Sequence, residues 1–186
     1  GIQLAGAMGN STISGNVISG ANTALVADKG GIRLYGSEFT GTVNITGNTI
    51  SDSFNGIAIK DGQNIAGKDI HINSNKLGSN SNMGVYHGGT GTLDATENWW
   101  GSDTGPAHSS NPLGVGSGAT DNVSFRPWYR NVGLTDLDIT APAPVITSTA
   151  VSPTNVSPIP FAVNFGETVT DFALGDITVG NGTAGD

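Results

Sequence analysis

The chain has 186 residues, with 7 Lys and Arg against 15 Asp and Glu, so its formal charge is 7 − 15 = −8. Hydrophobic residues make up 36%, aromatics 6% and charged residues 12%, while Gly takes 29 positions and Cys none. This composition argues against a helical protein, a disulfide scaffold and a thiolate metal site, and the scattered Lys and Arg argue against nucleic acid and anionic membranes as partners.

The chain opens at Gly1-Ile2-Gln3-Leu4, a phrase that returns as Gly31-Ile32-Arg33-Leu34, Gly56-Ile57-Ala58-Ile59 and Gly84-Val85-Tyr86-His87. A second phrase follows in step: Ile13-Ser14-Gly15-Asn16-Val17-Ile18, Ile45-Thr46-Gly47-Asn48-Thr49-Ile50, Ile72-Asn73-Ser74-Asn75-Lys76-Leu77 and Ala95-Thr96-Glu97-Asn98-Trp99-Trp100. Its asparagines stand 32, 27 and 23 residues apart. Two phrases repeating in one order at that period predict a solenoid or an array. Starting inside a phrase, with no leader and no initiator Met, the chain is expected to be a piece of a longer polypeptide. No apolar run reaches the roughly 18–20 residues that span a bilayer, so no membrane insertion is expected in this segment.

Within each phrase apolar residues alternate, as in a half-buried strand. Such strands are too short to stand alone, and stacking buries them. The alignment predicts inward columns Ile2–Ile32–Ile57–Val85, Leu4–Leu34–Ile59 and Ile18–Ile50–Leu77. It predicts outer columns Gln3–Arg33–Ala58–Tyr86 and Ala5–Tyr35–Lys60–Gly88. Asn16, Asn48, Asn75 and Asn98 fall at corners, where Asn tolerates a left-handed backbone. They are expected either to stack as an amide ladder or to stand as ordinary solvated turn residues.

The phrases "GIRLYG…VNITGNTISD" and "GIAIKDG…IHINSNKLGS" resemble the right-handed parallel β-helix repeat proteins, the pectate-lyase-like fold, over residues 1–100. That family includes pectate lyases, polygalacturonases and uronate epimerases, which place acids and bases on the outer face of one strand column. In this chain neither outer column holds a carboxylate pair of the kind glycoside hydrolysis uses. The nearest cluster is Lys60, Asp61, Tyr86 and His87 beside Arg33 and Tyr35. It reads as an acidic-sugar contact or as a solvated outer face with His87 turned inward. His71 and His108 lack partners at metal-ligand spacing, and Asp69 reads as a turn acid.

The fourth copy continues as "NWWGSDTGP" and then "VSFRPWY", which looks like the C-terminal ending of that β-helix family. Trp99, Trp100, Phe125, Trp128 and Tyr129 would close the open apolar end as an aromatic cap. Alternatively, the paired tryptophans Trp99 and Trp100 would form a sugar-stacking platform. Gly114–Gly118 reads as a loose loop.

After Asn131 the repeat stops, and Thr140-Ala141-Pro142-Ala143-Pro144 reads as a stiff spacer. The string "SPTNVSPIPFAVNFGETVTDFALGDITVGNGT" resembles bacterial immunoglobulin-like modules of large surface and secreted proteins. A strand with one buried face is expected at Phe161, Val163 and Phe165, and a second strand at Asp176–Val179. Only part of a sandwich fits in this length. Glu167, Asp171 and Asp176 would be the Ca²⁺ ligands if a cation binds there; otherwise they are solvated loop acids, and no other cofactor is expected. Sequons stand at Asn10, Asn44, Asn122, Asn155 and Asn181.

The expected architecture is therefore all-β: parallel β-helix coils and cap over 1–130, a linker over 131–149 and a partial immunoglobulin-like β-sandwich over 150–186. The expected role is a structural or adhesive segment of an extracellular or cell-surface protein, with copies of itself or polysaccharide as partners. A polysaccharide lyase, hydrolase or epimerase, or a non-catalytic glycan-binding module, is the alternative.

Overall fold

The computed structural model describes residues 1–22, 24–139, 144–165, 169, 172–180 and 182–185. The chain divides into two compact units, Gly1–Ile139 and Thr140–Asp186. In the first unit the strands are β1 (Ile2–Met8), β2 (Ser11–Ser14), β3 (Val17–Ser19), β4 (Ile32–Phe39), β5 (Val43–Thr46) and β6 (Thr49–Ser51). They continue as β7 (Asn55–Ile59), β8 (Ile70–Asn73), β9 (Met83–His87), β10 (Leu93–Asp94), β11 (Gly118–Ala119) and β12 (Val123–Ser124).

One sheet runs β1-β4-β7-β9-β11 and a second β2-β5-β8-β10-β12. A third face begins with β3 beside β6 and continues through single parallel bridges Thr49–Lys76, Lys76–Trp99 and Trp99–Tyr129. Every pairing between these strands is parallel. The unit is an all-β parallel solenoid of about four turns.

The phrase alignment is the register of the first sheet. Ile2 pairs with Ile32, Ile32 with Ile57 and Ile57 with Val85. Gln3, Arg33, Ala58 and Tyr86 pair in the same way one residue on. Alternation turns the first column inward and the second outward. Ile32, Leu34, Ile45, Ile50, Ile57, Ile59, Ile72, Leu77, Val85 and Leu93 have no solvent exposure and form the core. Each contributes roughly 1.5–3 kcal/mol by leaving water, which no single repeat could gain alone.

At the first corner Asn16 Nδ2 donates to Asn48 Oδ1 (2.9 Å), Asn48 Nδ2 to Asn75 Oδ1 (3.0 Å) and Asn75 Nδ2 to Asn98 Oδ1 (3.0 Å). Each backbone N–H of Asn16, Asn48 and Asn75 donates to the same oxygen as its amide does. The left-handed backbone lies elsewhere than expected. It belongs to the preceding residues Gly15, Gly47, Ser74 and Glu97, with φ of 67°, 66°, 57° and 55°. The turn is made one residue early, which frees Asn to point its amide inward.

A second ladder joins unlike residues. Ala21 N–H donates to Ser53 Oγ (3.0 Å), Ser53 N–H to Asn80 Oδ1 (3.2 Å) and Asn80 N–H to Ser117 Oγ (3.0 Å). The corner therefore requires a side-chain acceptor rather than one residue type.

Gly114–Gly118 is not a loose loop. Gly116 N–H donates to Gly105 O (2.9 Å), Ser117 N–H to Trp100 O (2.7 Å), and Gly118 enters β11 against Met83. A Cβ on Gly116 would sit 2.6 Å from Trp100 O and 2.7 Å from Gly105 O, so glycine serves close approach here. Trp100, Phe125 and Trp128 are buried, with Phe125 6.4 Å from Trp100 and 6.2 Å from Trp128 between ring centroids. Trp99 and Tyr129 lie on the outer side of their strands and are partly exposed. Adjacent strand residues face opposite ways, so Trp99 and Trp100 do not form a paired platform. Residues 130–138 fold back on the last layer through Arg130 N–H to Asp136 O and Asp138 N–H to Trp128 O, both 2.7 Å.

In the second unit β13 (Val145–Ser148) pairs antiparallel with β14 (Phe161–Asn164), from Val145 opposite Asn164 to Ser148 opposite Phe161. β14 falls where a strand is expected, but all its residues are exposed, and the expected buried face is not found among the described residues. Asp176 does not start a strand. It ends a 3₁₀ turn, Leu174–Asp176, because its carboxylate accepts the Ala173 N–H at 2.9 Å and closes the chain on itself. Thr140–Ala143 of the expected spacer, with Glu167, Asp171 and Asn181, lie outside the described residues.

Candidate functional site

The outer face of the first sheet gathers five of the six patch residues. Gln3, Arg33, Ala58 and Tyr86 form one outward column, and Tyr35 and Lys60 belong to the next. Arg33 Cζ lies 4.4 Å, and Lys60 Nζ 4.5 Å, from the centre of the Tyr35 ring. Both cations are attracted to its π face. Tyr86 Oη donates to Asp61 at 2.7 Å. The guanidinium of Arg33 is held by Asp28, a residue of the loop before β4, in a pair with side chains 12% and 14% exposed. That burial makes Asp28 the anchor of the patch, and its place in a variable loop hid it in the sequence.

His87 is not on this face. It pairs with Ile59 in the column of Leu4 and Leu34, is 2% exposed, and its Nε2 lies 3.1 Å from Gly91 O. Burial lowers its pKa, so the ring is neutral at pH 7.

The ionised groups of the patch largely satisfy one another. Arg33 is paired with Asp28, and Asp61 accepts the Tyr86 phenol. That bond to Asp61, followed by burial, pushes the Tyr86 phenol up to about 12. At neutral pH it is a hydroxyl donor and a poor base. Of the three tyrosines, one is therefore expected to titrate near pH 12. Asp61→Asn should bring it back toward 10, followed by tyrosinate absorbance; an unchanged titration would show that Asp61 does not hold the phenol.

The second sheet carries a cluster of which the sequence singles out His71 and Asp69, the latter as a turn acid, without joining them to Asp94. On its outer face His71 Nδ1 lies 2.9 Å from Asp94 Oδ2 and His71 Nε2 2.7 Å from Asp69 Oδ1. Thr42 donates to Asp69, and Thr96 Oγ1 to Asp94 at 2.8 Å. Asp94 is 23 residues from His71 in sequence but is its partner in the ladder between β8 and β10. Aligning Ile72 with Ala95 places the two side by side, and that was the available signal. The bonds to Asp94 and then Asp69 raise the His71 pKa above 6.5. Thr42 first and His71 next lower that of Asp69. Burial pushes Asp94 up, but its bonds from His71, Thr96 and Asn73 outweigh this and lower it.

Linkage fixes the sign of the effect. The His71 contribution is complete below pH 6.5 and fades as pH rises through its raised value. The contribution of the two acids is complete above about pH 4 and fades as pH falls through their lowered values. His71→Gln is therefore expected to flatten the decline of thermal stability above pH 6.5, read as Tm against pH. A wild-type profile identical in slope to the variant's would refute this.

His71 sends its two ring nitrogens to two different carboxylates. Among the described residues no group of three or more His, Cys, Asp or Glu is placed to hold a metal ion. Of the three possible Ca²⁺ ligands only Asp176 is described, and it is engaged in its own turn. No helix among the described residues is long and apolar enough to cross a membrane.

Fold and surface together define a class, the all-β parallel solenoid. Comparison with known protein families, with curated proteins and with solved structures finds no match.

Proposed function

We propose that this chain is a structural or adhesive segment of a large extracellular or cell-surface protein, a stalk, adhesin or fibre subunit. The observation that carries the reading is the pair of hydrogen-bonded ladders at successive corners of the stack. They satisfy buried polar groups from coil to coil and stiffen the stack. In this reading residues 1–130 belong with the right-handed, pectate-lyase-like β-helices. Trp100, Phe125 and Trp128 act as the aromatic cap that stops coil addition. The hairpin β13–β14 is part of an immunoglobulin-like module, and copies of the same protein are the partners in a fibre or surface layer.

Electron imaging of the full polypeptide, with labelling of intact cells, tests the reading. An elongated particle accessible from outside is expected. A compact isolated particle confined to the cell interior would overturn it.

A second reading, polysaccharide contact at Arg33, Tyr35, Lys60, Asp61 and Tyr86, is favoured by the two cations on Tyr35. Its catalytic form, a lyase or epimerase, predicts unsaturated product absorbance from uronate polysaccharides that is lost in Lys60→Ala.

A further inference from the structure

The loop before β11 carries a side-chain cluster that neither of the sites above uses. Residues 108–111 form a tight turn, closed by Asn111 N–H to His108 O at 2.9 Å. The Asn111 amide ties it down by donating to Thr104 O and Pro106 O, both at 2.9 Å. Two further contacts stand around the His108 ring, and closure of the turn needs neither. Ser110 Oγ lies 2.8 Å from His108 Nδ1, and Asp121 Oδ1, from 13 residues further on, lies 3.2 Å from His108 Nε2. The ring is 10% exposed and meets Phe125 edge-on, 5.2 Å between centroids.

A backbone donor fixes the tautomer. Ser110 N–H also donates to Nδ1, at 3.1 Å. A backbone N–H can only donate, so Nδ1 carries the lone pair, and Nε2 carries the proton that it gives to the Asp121 carboxylate. Nδ1 is thus a base within reach of the Ser110 hydroxyl, on a ring held by a carboxylate and an aromatic side chain. Hydroxyl, imidazole and carboxylate stand in the order and at the separations that activate a serine nucleophile. That constellation is recognised by geometry and not by chain position.

We infer that Ser110 is the nucleophile of an acyl-transfer site that hydrolyses small carboxylic esters. Ser110 Oγ attacks the ester carbonyl carbon as its proton passes to His108 Nδ1. The bond from that carbon to the alcohol oxygen breaks, and the leaving oxygen takes the proton back from Nδ1. Water then repeats the two steps on the acyl-serine and releases the carboxylic acid. Proton transfer has a second consequence. Once Nδ1 holds a proton it no longer accepts from Ser110 N–H, so that donor comes free as the oxyanion forms. Ser109 N–H has no hydrogen-bond partner among the described residues and adds another. A donor released only as charge develops favours the transition state over the ground state. Ser109 and Ser110 are exposed, and the Asp121 side chain is 93% exposed. The site is open, so it takes a small acyl group and leaves the alcohol part in solvent. It shares no residue with the patch around Tyr35 and is independent of the rod reading.

The test treats the whole chain with a fluorophosphonate, from which an activated serine displaces fluoride, and with p-nitrophenyl acetate. Mass spectrometry of the intact chain and its peptides locates the adduct, and absorbance follows the released nitrophenolate. One adduct per chain, on Ser110, is expected. Ser110→Ala, at an exposed position, should abolish it and the ester hydrolysis with it. His108→Gln should slow both reactions at least about a hundredfold. Asp121 acts through the ring as a positioning residue. Asp121→Asn should slow both about two- to fivefold, because the pair is exposed on the carboxylate side, and Asp121→Glu should restore them. Far-UV circular dichroism checks that each variant is folded. No adduct on Ser110, labelling that survives His108→Gln, or ester hydrolysis undiminished in Ser110→Ala would overturn the inference. So would an Asp121→Asn rate equal to that of the wild type. A failed labelling would leave the elongated particle standing, and a compact particle would leave the labelling standing.

Discussion

Asn75→Ala is expected to cost the solenoid about 3–5 kcal/mol, a large share of a typical 5–15 kcal/mol stability. Asn75 sits in the middle of the ladder with no solvent exposure. Its Oδ1 accepts both the backbone N–H and the Nδ2 of Asn48 at 3.0 Å, and its Nδ2 donates to Ile45 O at 2.8 Å and Asn98 Oδ1 at 3.0 Å. Truncation removes these bonds together and strands a buried N–H on Asn48. Leaving such a donor unpaired costs about 1–3 kcal/mol by itself, and the vacated volume adds to it. Asn16→Ala is the control. Asn16 lies at the exposed start of the ladder, and its backbone N–H still reaches Asn48 Oδ1, so a loss under about 1 kcal/mol is expected. Asn75→Asp keeps the acceptor but turns the donor into an oxygen facing other oxygens. Its buried carboxyl must stay protonated, so stability should fall as pH rises above about 4. Urea unfolding of the three variants decides the matter. Equal losses for Asn75→Ala and Asn16→Ala would mean that the buried ladder is not what holds the coils together.

The same ladder marks what was legible in the sequence. Recurring phrases with one apolar pattern set the register of the first sheet, because a one-residue slip would have turned every Ile and Leu outward. That register alone puts Arg33, Tyr35 and Tyr86 on one outer face. Legibility failed where the fold needs a chemical role rather than a residue. The second corner uses Ser53, Asn80 and Ser117 interchangeably as acceptors, so no repeated letter announced it. His71 and Asp94 occupy matching positions of unlike phrases. Asp28 reached Arg33 from a loop of irregular length. The glycines at 114, 116 and 118 looked like slack because composition does not distinguish freedom from crowding. The outward turn of Trp99 followed from strand alternation, yet the doublet Trp99-Trp100 invited reading the two as one unit.

Trp100→Ala is expected to cost about 3–5 kcal/mol, and Trp100→Phe markedly less. Trp100 continues the Ile18–Ile50–Leu77 column, has no solvent exposure and meets Phe125 edge-on at an interplanar angle of 78°. Gly84 is cut to fit it: a Cβ there would lie 2.8 Å from Cε3 and 2.9 Å from Cζ3 of the indole. Truncation to Ala removes one of the two buried tryptophans of the core and opens a void under β9 and β11. Two effects oppose each other in Trp100→Phe. The smaller ring loses packing, but the buried Trp100 Nε1, which has no hydrogen-bond partner among the described residues, disappears with its desolvation penalty of about 1–3 kcal/mol. Gly84→Ala should overpack the same spot by about 1–3 kcal/mol. Combined with Trp100→Phe it should cost less than the sum of the two, because the smaller ring makes room for the methyl. Strict additivity in that double-mutant cycle, measured by urea unfolding, would show that Gly84 and Trp100 do not share one packing site. The Ala variant also tests the cap. If Trp100 closes the apolar end of the stack, its loss exposes strand edges that pair with other chains. Trp100→Ala should then self-associate at concentrations where Asn75→Ala, equally destabilised but with its end covered, stays monodisperse in light scattering.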